Sequence, residues 1–95
     1  MTDIERHNKI TKEIHELYKI KNAKYGNSFA DSIDEFGFAA AGFQIGHKFN
    51  RVKQMIKDGD LFGTGEEGSF RDNLRDVANY CMITMIELDK QMENQ

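Results

Sequence analysis

The chain has 95 residues, of which 39% are hydrophobic and 31% are charged. This length is typical of one small domain, predicted to span residues 1–95, and leaves no room for a second. The formal charge of −3 excludes a strongly basic surface, so we expect no duplex DNA partner. A single cysteine excludes an internal disulfide, and no apolar run reaches the roughly 20 residues of a membrane span. We therefore expect a cytoplasmic domain with no membrane partner.

The absence of proline and the spacing of the apolar residues predict four helices. The first is expected from Asp3 to Ala23, behind a capping box formed by Thr2 and Glu5. The pattern then predicts, in order, a short helix (Ser28–Phe36), a long helix (Phe38–Lys57), a glycine-rich loop (Lys57–Gly68) and a last helix (Ser69–Met92) that opens on a second capping signal. The predicted fold class is all-α, a small four-helix bundle with three long helices and one short helix.

The last predicted helix carries more apolar surface than one neighbour covers. One stripe runs along its length and consists of Phe70, Leu74, Val77, Cys81, Met85 and Leu88. Tyr80, Ile83 and Ile86 extend the apolar surface beyond this stripe. Such a helix is either central to a bundle or meets a second chain on its other face. We therefore expect a homo-oligomer assembled through the C-terminal helix.

Two glycines four residues apart, Gly42 and Gly46, lie within the third predicted helix. They share one face of that helix, because residues four apart are neighbours on a helix surface. A bare face permits either tight packing of another helix or the close approach of a flat ligand. Both interpretations are open from the sequence.

Cationic, aromatic and carboxamide residues recur together in a pattern suited to a nucleotide. Cations pair with phosphates, an aromatic ring stacks on a base, and a carboxamide forms hydrogen bonds with a base or ribose edge. The candidate ligand-binding residues are Lys21, Asn22, Lys24, Tyr25, Phe29, Lys48, Arg51, Arg75 and Asn79. The alternative is that the lysines are solvated and the tyrosine belongs to the core.

Acidic residues at helical spacing suggest a second kind of chemistry. Asp72 and Asp76 are one turn apart on the last helix, and the second helix offers Asp34, or alternatively Asp31 or Glu35, as a possible third ligand. Carboxylates in this pattern can hold Mg²⁺ together with water and substrate phosphates. The alternative is an ion-paired helix face without a metal. We expect no cofactor, unless the chain hydrolyses nucleotides with Mg²⁺.

Three stretches of this chain resemble the nucleotide-modification-associated domain family that is frequent in phage genomes. They are LYKIKNAKYGNSFADSIDEFG, IGHKFNRVKQMI and FRDNLRDVANYCMITMIELDK, within Leu17–Lys90. The markers are Lys21-Asn22, Tyr25-Gly26, Ser28-Phe29, Lys48 with Arg51, and the segment Asp76–Tyr80. The resemblance implies a nucleotide-linked role in a phage-encoded protein.

The chain is also similar, more loosely, to the all-α nucleoside triphosphate pyrophosphatases of the MazG and dimeric dUTPase kind. Asp76 matches the aspartate of their ExxD motif, but Asn73 stands where that family has glutamate. The EExxE motif that binds Mg²⁺ in those enzymes is missing from the first half of this chain. The resemblance therefore implies the fold and a nucleotide ligand more strongly than it implies catalysis.

These observations give three functional hypotheses. The first is a protein that recognises or sequesters a phosphorylated nucleotide, a precursor or an immune signalling nucleotide, without turning it over. The second is a Mg²⁺-dependent nucleotide pyrophosphatase that uses the three aspartates. The third is a helical module that binds another protein through its last helix.

Overall fold

The chain folds as four α-helices, which confirms the predicted all-α bundle. The computed structural model describes residues 1–63 and 65–95, and no strand occurs in these two ranges. The helices are α1 (Asp3–Tyr25), α2 (Ser28–Phe36), α3 (Ala39–Asp58) and α4 (Phe70–Glu93). Within the described ranges, none of them combines the length and the apolar character that crossing a bilayer requires.

The helix bounds agree with the predicted bounds to within two residues because local capping sets them. The Thr2 hydroxyl accepts a hydrogen bond from the Glu5 amide at 3.1 Å, and the Glu5 carboxylate accepts one from the Thr2 amide. The Ser69 hydroxyl accepts from the amide of Asp72 at 3.1 Å. Such caps satisfy amides that have no partner in the first turn of a helix. Both predicted capping signals are confirmed.

The predicted loop from Lys57 to Gly68 is shorter than expected, because Lys57 and Asp58 still belong to α3. Gly59 ends that helix in the left-handed conformation, with φ of 71°. This conformation is accessible to glycine without the steric cost that other residues incur. Thr64, which the loop prediction included, lies outside the described residues.

Helix α4 is the central element, since it packs against each of the other three helices. Helix α2 also packs against α3, whereas α1 packs mainly on α4. The fully buried apolar residues of the described chain are Ile14, Ala30, Ile33, Ala41, Val52 and Met55. None of them belongs to α4. The buried side chains of this central helix are therefore polar, while its apolar side chains are half-buried or exposed.

The face of α4 that packs inward is not the one that its apolar stripe predicts. The buried residues of this helix are Asn73, Asp76, Asn79 and Glu87. On the apolar stripe, Leu74 is 44% exposed, Met85 is 56% exposed and Leu88 is 45% exposed. Among buried residues, polar side chains are normally rare, so a central helix with this orientation is unusual. Cys81, expected to lie in the core, is only half-buried.

The glycine face of α3 is open within the described chain. A Cβ atom built at Gly42 or at Gly46 would meet no atom of the described chain within 4 Å. The prediction of tight helix–helix packing at these glycines is therefore wrong for contacts within one chain. Since Phe43 beside them is also exposed, this side of α3 faces away from the other helices.

Candidate functional site

A cavity of about 290 Å³ lies where α1, the start of α2 and α4 meet. Five of the nine predicted ligand-binding residues line it: Lys21, Asn22, Tyr25, Phe29 and Asn79. They are drawn from three helices and are separated by up to 58 positions in the sequence. We call this space the aromatic–amide cavity, because aromatic rings and carboxamides make up most of its functional lining.

Two tyrosines of the cavity wall were not singled out as ligand residues by the sequence. Tyr80 stacks on Phe29, with ring centroids 4.7 Å apart and an angle of 29° between the rings. Tyr18 lines the cavity from α1. The sequence did contain one indication that Tyr80 belongs to the site, because Tyr80 directly follows Asn79, a predicted ligand-binding residue. Aromatic pairs of this kind are rigid surfaces on which a planar ligand can stack.

Lys24 does not line the cavity. Its ammonium nitrogen lies 5.2 Å from the ring centroid of Tyr25, within the range of a cation–π contact. Tyr25 itself is an exposed residue at the rim. Lys24 therefore covers one side of this ring instead of facing the interior of the cavity.

Asn79 is a buried residue of the cavity wall. The residue is only 6% exposed, and it lines the cavity. Its side chain forms no hydrogen bond with any residue of ranges 1–63 and 65–95. Asn73, one and a half turns earlier on the same helix, donates hydrogen bonds to the carbonyls of Gly68 and Ser69. In the described residues Arg75 Nε is the buried side-chain nitrogen or oxygen that lacks a partner, so the Asn79 amide atoms keep contact with solvent and are available to a ligand in the cavity.

A carboxylate bridged by two lysines lies next to the cavity. Asp76, which is 7% exposed, accepts a hydrogen bond from the Lys21 ammonium at 3.2 Å. Its second oxygen lies 2.9 Å from the Lys48 ammonium, so α1 and α3 both reach α4 here. This hydrogen bond to Asp76 raises the pKa of Lys48 above its usual value, although partial burial opposes the shift. Lys21, Lys48 and Asp76 form what we call the lysine clamp, whose formal charge is +1.

Arg75, another predicted ligand residue, is used by the structure to connect α4 to α1. Its guanidinium donates to Glu13 at 2.6 Å, to Asp72 at 3.0 Å and to the carbonyl oxygen of Gly65. Arg71 also binds Glu13 through two hydrogen bonds, at 2.6 and 2.8 Å. No local pattern predicted this network, because Glu13 lies 58 and 62 positions from its two partners.

The two arginines make the stability of the fold depend on the charge of Glu13. The hydrogen bond from Arg71 is the main cause that lowers the pKa of Glu13 from 4.5 to about 2, with Arg75 adding to it. A lowered carboxyl pKa contributes stability above the ordinary pKa, and this contribution is lost as the pH falls through the lowered value. Because the Glu13 side chain is nearly one-third exposed, we expect a contribution of about 1–2 kcal/mol.

This dependence is measurable by urea unfolding at pH 6, 4, 3 and 2. We expect Glu13→Gln to be less stable than the wild type at pH 6, and the difference between the two proteins to vanish between pH 4.5 and 2. Glu16→Gln, which removes the same charge from an exposed position one turn away, is the matched control and should show only a small difference. A difference for Glu13→Gln that persists unchanged at pH 2 would contradict the assignment.

Two of the three candidate metal ligands, Asp72 and Asp76, line one pocket, whereas Asp34 does not line it. Asp72 accepts hydrogen bonds from the Gly68 amide and from Arg75, and these bonds lower its pKa although burial opposes the shift. Asp34 instead interacts with Lys90 near the end of α4. The hydrogen bond from Lys90 to Glu87 raises the pKa of Lys90, and the negative charge of Asp34 raises it further. In residues 1–63 and 65–95, no three His, Cys, Asp or Glu side chains are grouped so as to hold a metal. The donor set therefore does not fit Mg²⁺, because Asp72 and Asp76 are already bound to cations.

The remaining predicted cation, Arg51, lies at a separate depression. It lines this depression together with His47, Gln54 and Lys48. Lys48 is thus shared with the pocket next to the aromatic–amide cavity, which Lys21 and Asp76 also line. Arg51 itself lines neither that pocket nor the cavity. The structure therefore separates Arg51 from the five residues that meet in the cavity.

The fold and the site define a small all-α protein with a ligand-sized cavity between three helices. Comparisons with protein-family models, with curated proteins and with solved structures found no match to this chain. The resemblances drawn from the sequence motifs therefore stay predictions.

Proposed function

We propose that this protein binds a phosphorylated nucleotide and holds it without turnover. The observation that carries the proposal is the aromatic–amide cavity, in which the unpaired carboxamide of Asn79 meets aromatic side chains beside the Lys21 ammonium. Rings that stack on a base, an amide that reads its polar edge and a cation for phosphate are the elements of nucleotide recognition. The cavity volume of about 290 Å³ lies just below the usual range for ligand pockets, roughly 300–1,000 Å³.

The lysine clamp supports a Mg²⁺-dependent pyrophosphatase less well than it supports a protein that binds a nucleotide without hydrolysis. Both oxygens of Asp76 are bound by ammonium groups, and Asp72 is bound by Arg75. A metal at this place would have to displace these cations, and phosphoryl chemistry relies on metal ions to neutralise developing charge. Binding without hydrolysis therefore accords better with the geometry. Sequestration of a precursor or of a signalling nucleotide is a role that such binding serves.

Calorimetry with a panel of nucleosides, nucleotides and cyclic dinucleotides tests this proposal. We expect saturable heat with at least one phosphorylated member, and mass spectrometry after denaturation should recover that ligand intact. The same incubations with Mg²⁺ should release no monophosphate or pyrophosphate. Failure of every member of the panel to bind would refute the proposal, and ligand-dependent hydrolysis would replace it with the enzyme hypothesis.

We further propose that the chain works as a homo-oligomer assembled through the exposed residues of the apolar stripe on α4, which are Leu74, Met85 and Leu88. The isolated chain exposes 7059 Å², whereas a compact chain of 11.0 kDa exposes about 5,600 Å². Its radius of gyration is 14.7 Å, compared with about 12 Å expected for this length. The surplus of roughly 1,400 Å² exceeds the roughly 800 Å² that each partner buries in a standard interface. A second copy is the occupant that this surface fits, because isologous contact joins one apolar stripe to its own copy.

Light scattering after size exclusion tests the oligomer. We expect the wild type to have a mass of at least twice 11.0 kDa. The double variant Met85→Glu/Leu88→Glu should run as a monomer and keep its helical circular dichroism. Gln91→Glu adds one charge at an exposed position of the same helix and should leave the mass unchanged. A wild-type mass of 11.0 kDa at micromolar concentration would contradict this assembly, and binding of an unrelated protein by the same stripe would favour the interaction-module hypothesis.

A further inference from the structure

The N-terminus of α2 opens into the aromatic–amide cavity. Residues 26–30, which include the first three residues of this helix, line the cavity wall. The first backbone hydrogen bond of the helix is donated by Asp31 to the carbonyl of Asn27, at 2.7 Å. The amides of Ser28, Phe29 and Ala30 come before it and have no acceptor in the described parts of the chain. Asn27 stands at the N-cap position, but its side chain forms no capping hydrogen bond.

Unpaired amides at a helix N-terminus favour an anionic ligand. They donate hydrogen bonds in one direction, and the aligned peptide dipoles place partial positive charge at the same end. At the N-termini of α1 and α4, in contrast, the side chains of Thr2 and Ser69 accept from these amides. The start of α2 therefore offers donors that the protein itself leaves unused.

A second observation from another helix points to a ligand in the same cavity. The Asn79 side chain comes from α4, is more than nine-tenths buried and has no hydrogen-bond partner in the described residues. Lys21 of α1 also lines this cavity. A single molecule that accepts hydrogen bonds from the α2 amides and pairs with the Asn79 carboxamide would satisfy both sets of groups.

The charges around the cavity limit how much phosphate such a molecule carries. Lys21 is the one lysine among the described residues that lines the cavity, and its ammonium is already paired with Asp76, so little net positive charge remains there. The pocket beyond the clamp is also lined by Glu67 and Asp72. Like charges repel, so an extended polyphosphate reaching towards this pocket would meet two further carboxylates. One phosphoryl group matches the donors and the net charge, and a triphosphate exceeds both.

We propose that the ligand is a nucleoside with a single phosphoryl group, which binds at the N-terminus of α2 beside Lys21, while Asn79 forms hydrogen bonds with the base or ribose. This inference rests on the proposed nucleotide-binding function and adds the class of nucleotide and the position of its phosphate. None of the candidate residues predicted from the sequence to bind phosphate lies at the start of α2. Phe29, which does lie there, was predicted to stack on the base.

Matched series of ligands test the inference separately from the proposed function. For each common base, calorimetry compares the nucleoside, its 5′-monophosphate and its 5′-triphosphate. For the base that binds, we expect the monophosphate to bind at least tenfold more tightly than the nucleoside, and more tightly than the triphosphate. A triphosphate that binds most tightly, or a nucleoside that binds as tightly as the monophosphate, overturns this inference and leaves the proposed function standing. If no member of any series binds, the proposed function fails as well.

Charge changes at the two ends of α2 locate the phosphate. Ser28→Asp places a carboxylate at the first helical residue, where it stabilises the helix but repels phosphate, and should weaken monophosphate binding at least tenfold. Asp31→Asn removes the acidic residue of the first turn and should strengthen monophosphate binding about two- to fivefold. Glu35→Gln removes the same charge near the other end of the helix and should change monophosphate affinity less than twofold. Equal effects of Asp31→Asn and Glu35→Gln, or no effect of Ser28→Asp, would overturn the placement.

Discussion

Replacing Asn79 by leucine is expected to weaken nucleotide binding about 10- to 100-fold while leaving the free energy of unfolding unchanged or raising it by up to about 1 kcal/mol. The carboxamide of Asn79 has no hydrogen-bond partner in the described residues and keeps contact with solvent, so its replacement breaks no hydrogen bond within this part of the chain. Leucine has a similar size and no polar group, so it occupies the same space. The bound nucleotide, however, would lose a hydrogen-bond partner and leave a polar edge of its own unsatisfied.

Asn73→Leu is the matched control for this prediction. Asn73 lies on the same inward face of α4 and is 4% exposed, but its amide donates to the carbonyls of Ser69 and Gly68 at 2.8 and 3.2 Å. Its replacement should lower the free energy of unfolding by about 1–3 kcal/mol. Urea unfolding and calorimetry on both variants give the comparison. If Asn79→Leu destabilises the fold as much as Asn73→Leu and leaves ligand affinity unchanged, Asn79 has a structural role and not a binding role.

Local sequence patterns predicted the helices well because the forces that bound a helix are local. Thr2 with Glu5 and Ser69 with Asp72 act across three positions, so their hydrogen bonds can be read from the sequence. A glycine such as Gly59 ends a helix through its own backbone freedom. Neither signal requires knowledge of which helices pack together.

The orientation of α4 could not be predicted in the same way. Its stripe of Leu74, Met85 and Leu88 has the spacing of a core face, and hydrophobic periodicity does not tell whether that core lies within one chain or between two. The polar face of α4 determines which side of the helix packs inward, since Asp76 binds two lysines and Asn73 binds backbone carbonyls from within the chain. The two lysines lie 28 and 55 positions away along the sequence, and the carbonyls that Asn73 binds belong to the turn before the helix.

The candidate site was predictable in its residue types and only partly in its arrangement. Asn22, Tyr25 and Asn79 were expected to share a ligand site, and the structure brings all three to one cavity. Lys21 and Lys48 were expected to be available for phosphate, but each is bound to Asp76. A pattern of charges shows which chemistry is possible, whereas the pairing that neutralises those charges depends on contacts between distant segments.

Replacing Asp76 by asparagine is expected to lower the free energy of unfolding by about 2–3 kcal/mol. Breaking a fully buried ion pair typically costs roughly 3–5 kcal/mol, and the partial exposure of both lysines reduces that cost. The carboxylate joins α1 and α3 to α4, and an amide cannot replace its charge for two ammonium groups. Asp89→Asn on the exposed side of α4 forms no ion pair in the described residues and should stay within about 0.5 kcal/mol of the wild type. Urea unfolding at one fixed protein concentration measures both variants.

The same Asp76→Asn variant distinguishes a binding protein from an enzyme. Removal of the carboxylate raises the formal charge of the lysine clamp from +1 to +2, so we expect triphosphate affinity to rise about tenfold and the preference for a monophosphate to narrow or reverse. A pyrophosphatase that used Asp76 for Mg²⁺ would instead lose its activity in this variant. Triphosphate affinity by calorimetry and Mg²⁺-dependent release of monophosphate are therefore measured together on both proteins. Hydrolysis by the wild type that disappears in the variant would refute storage without turnover, whereas tighter triphosphate binding without hydrolysis would support it.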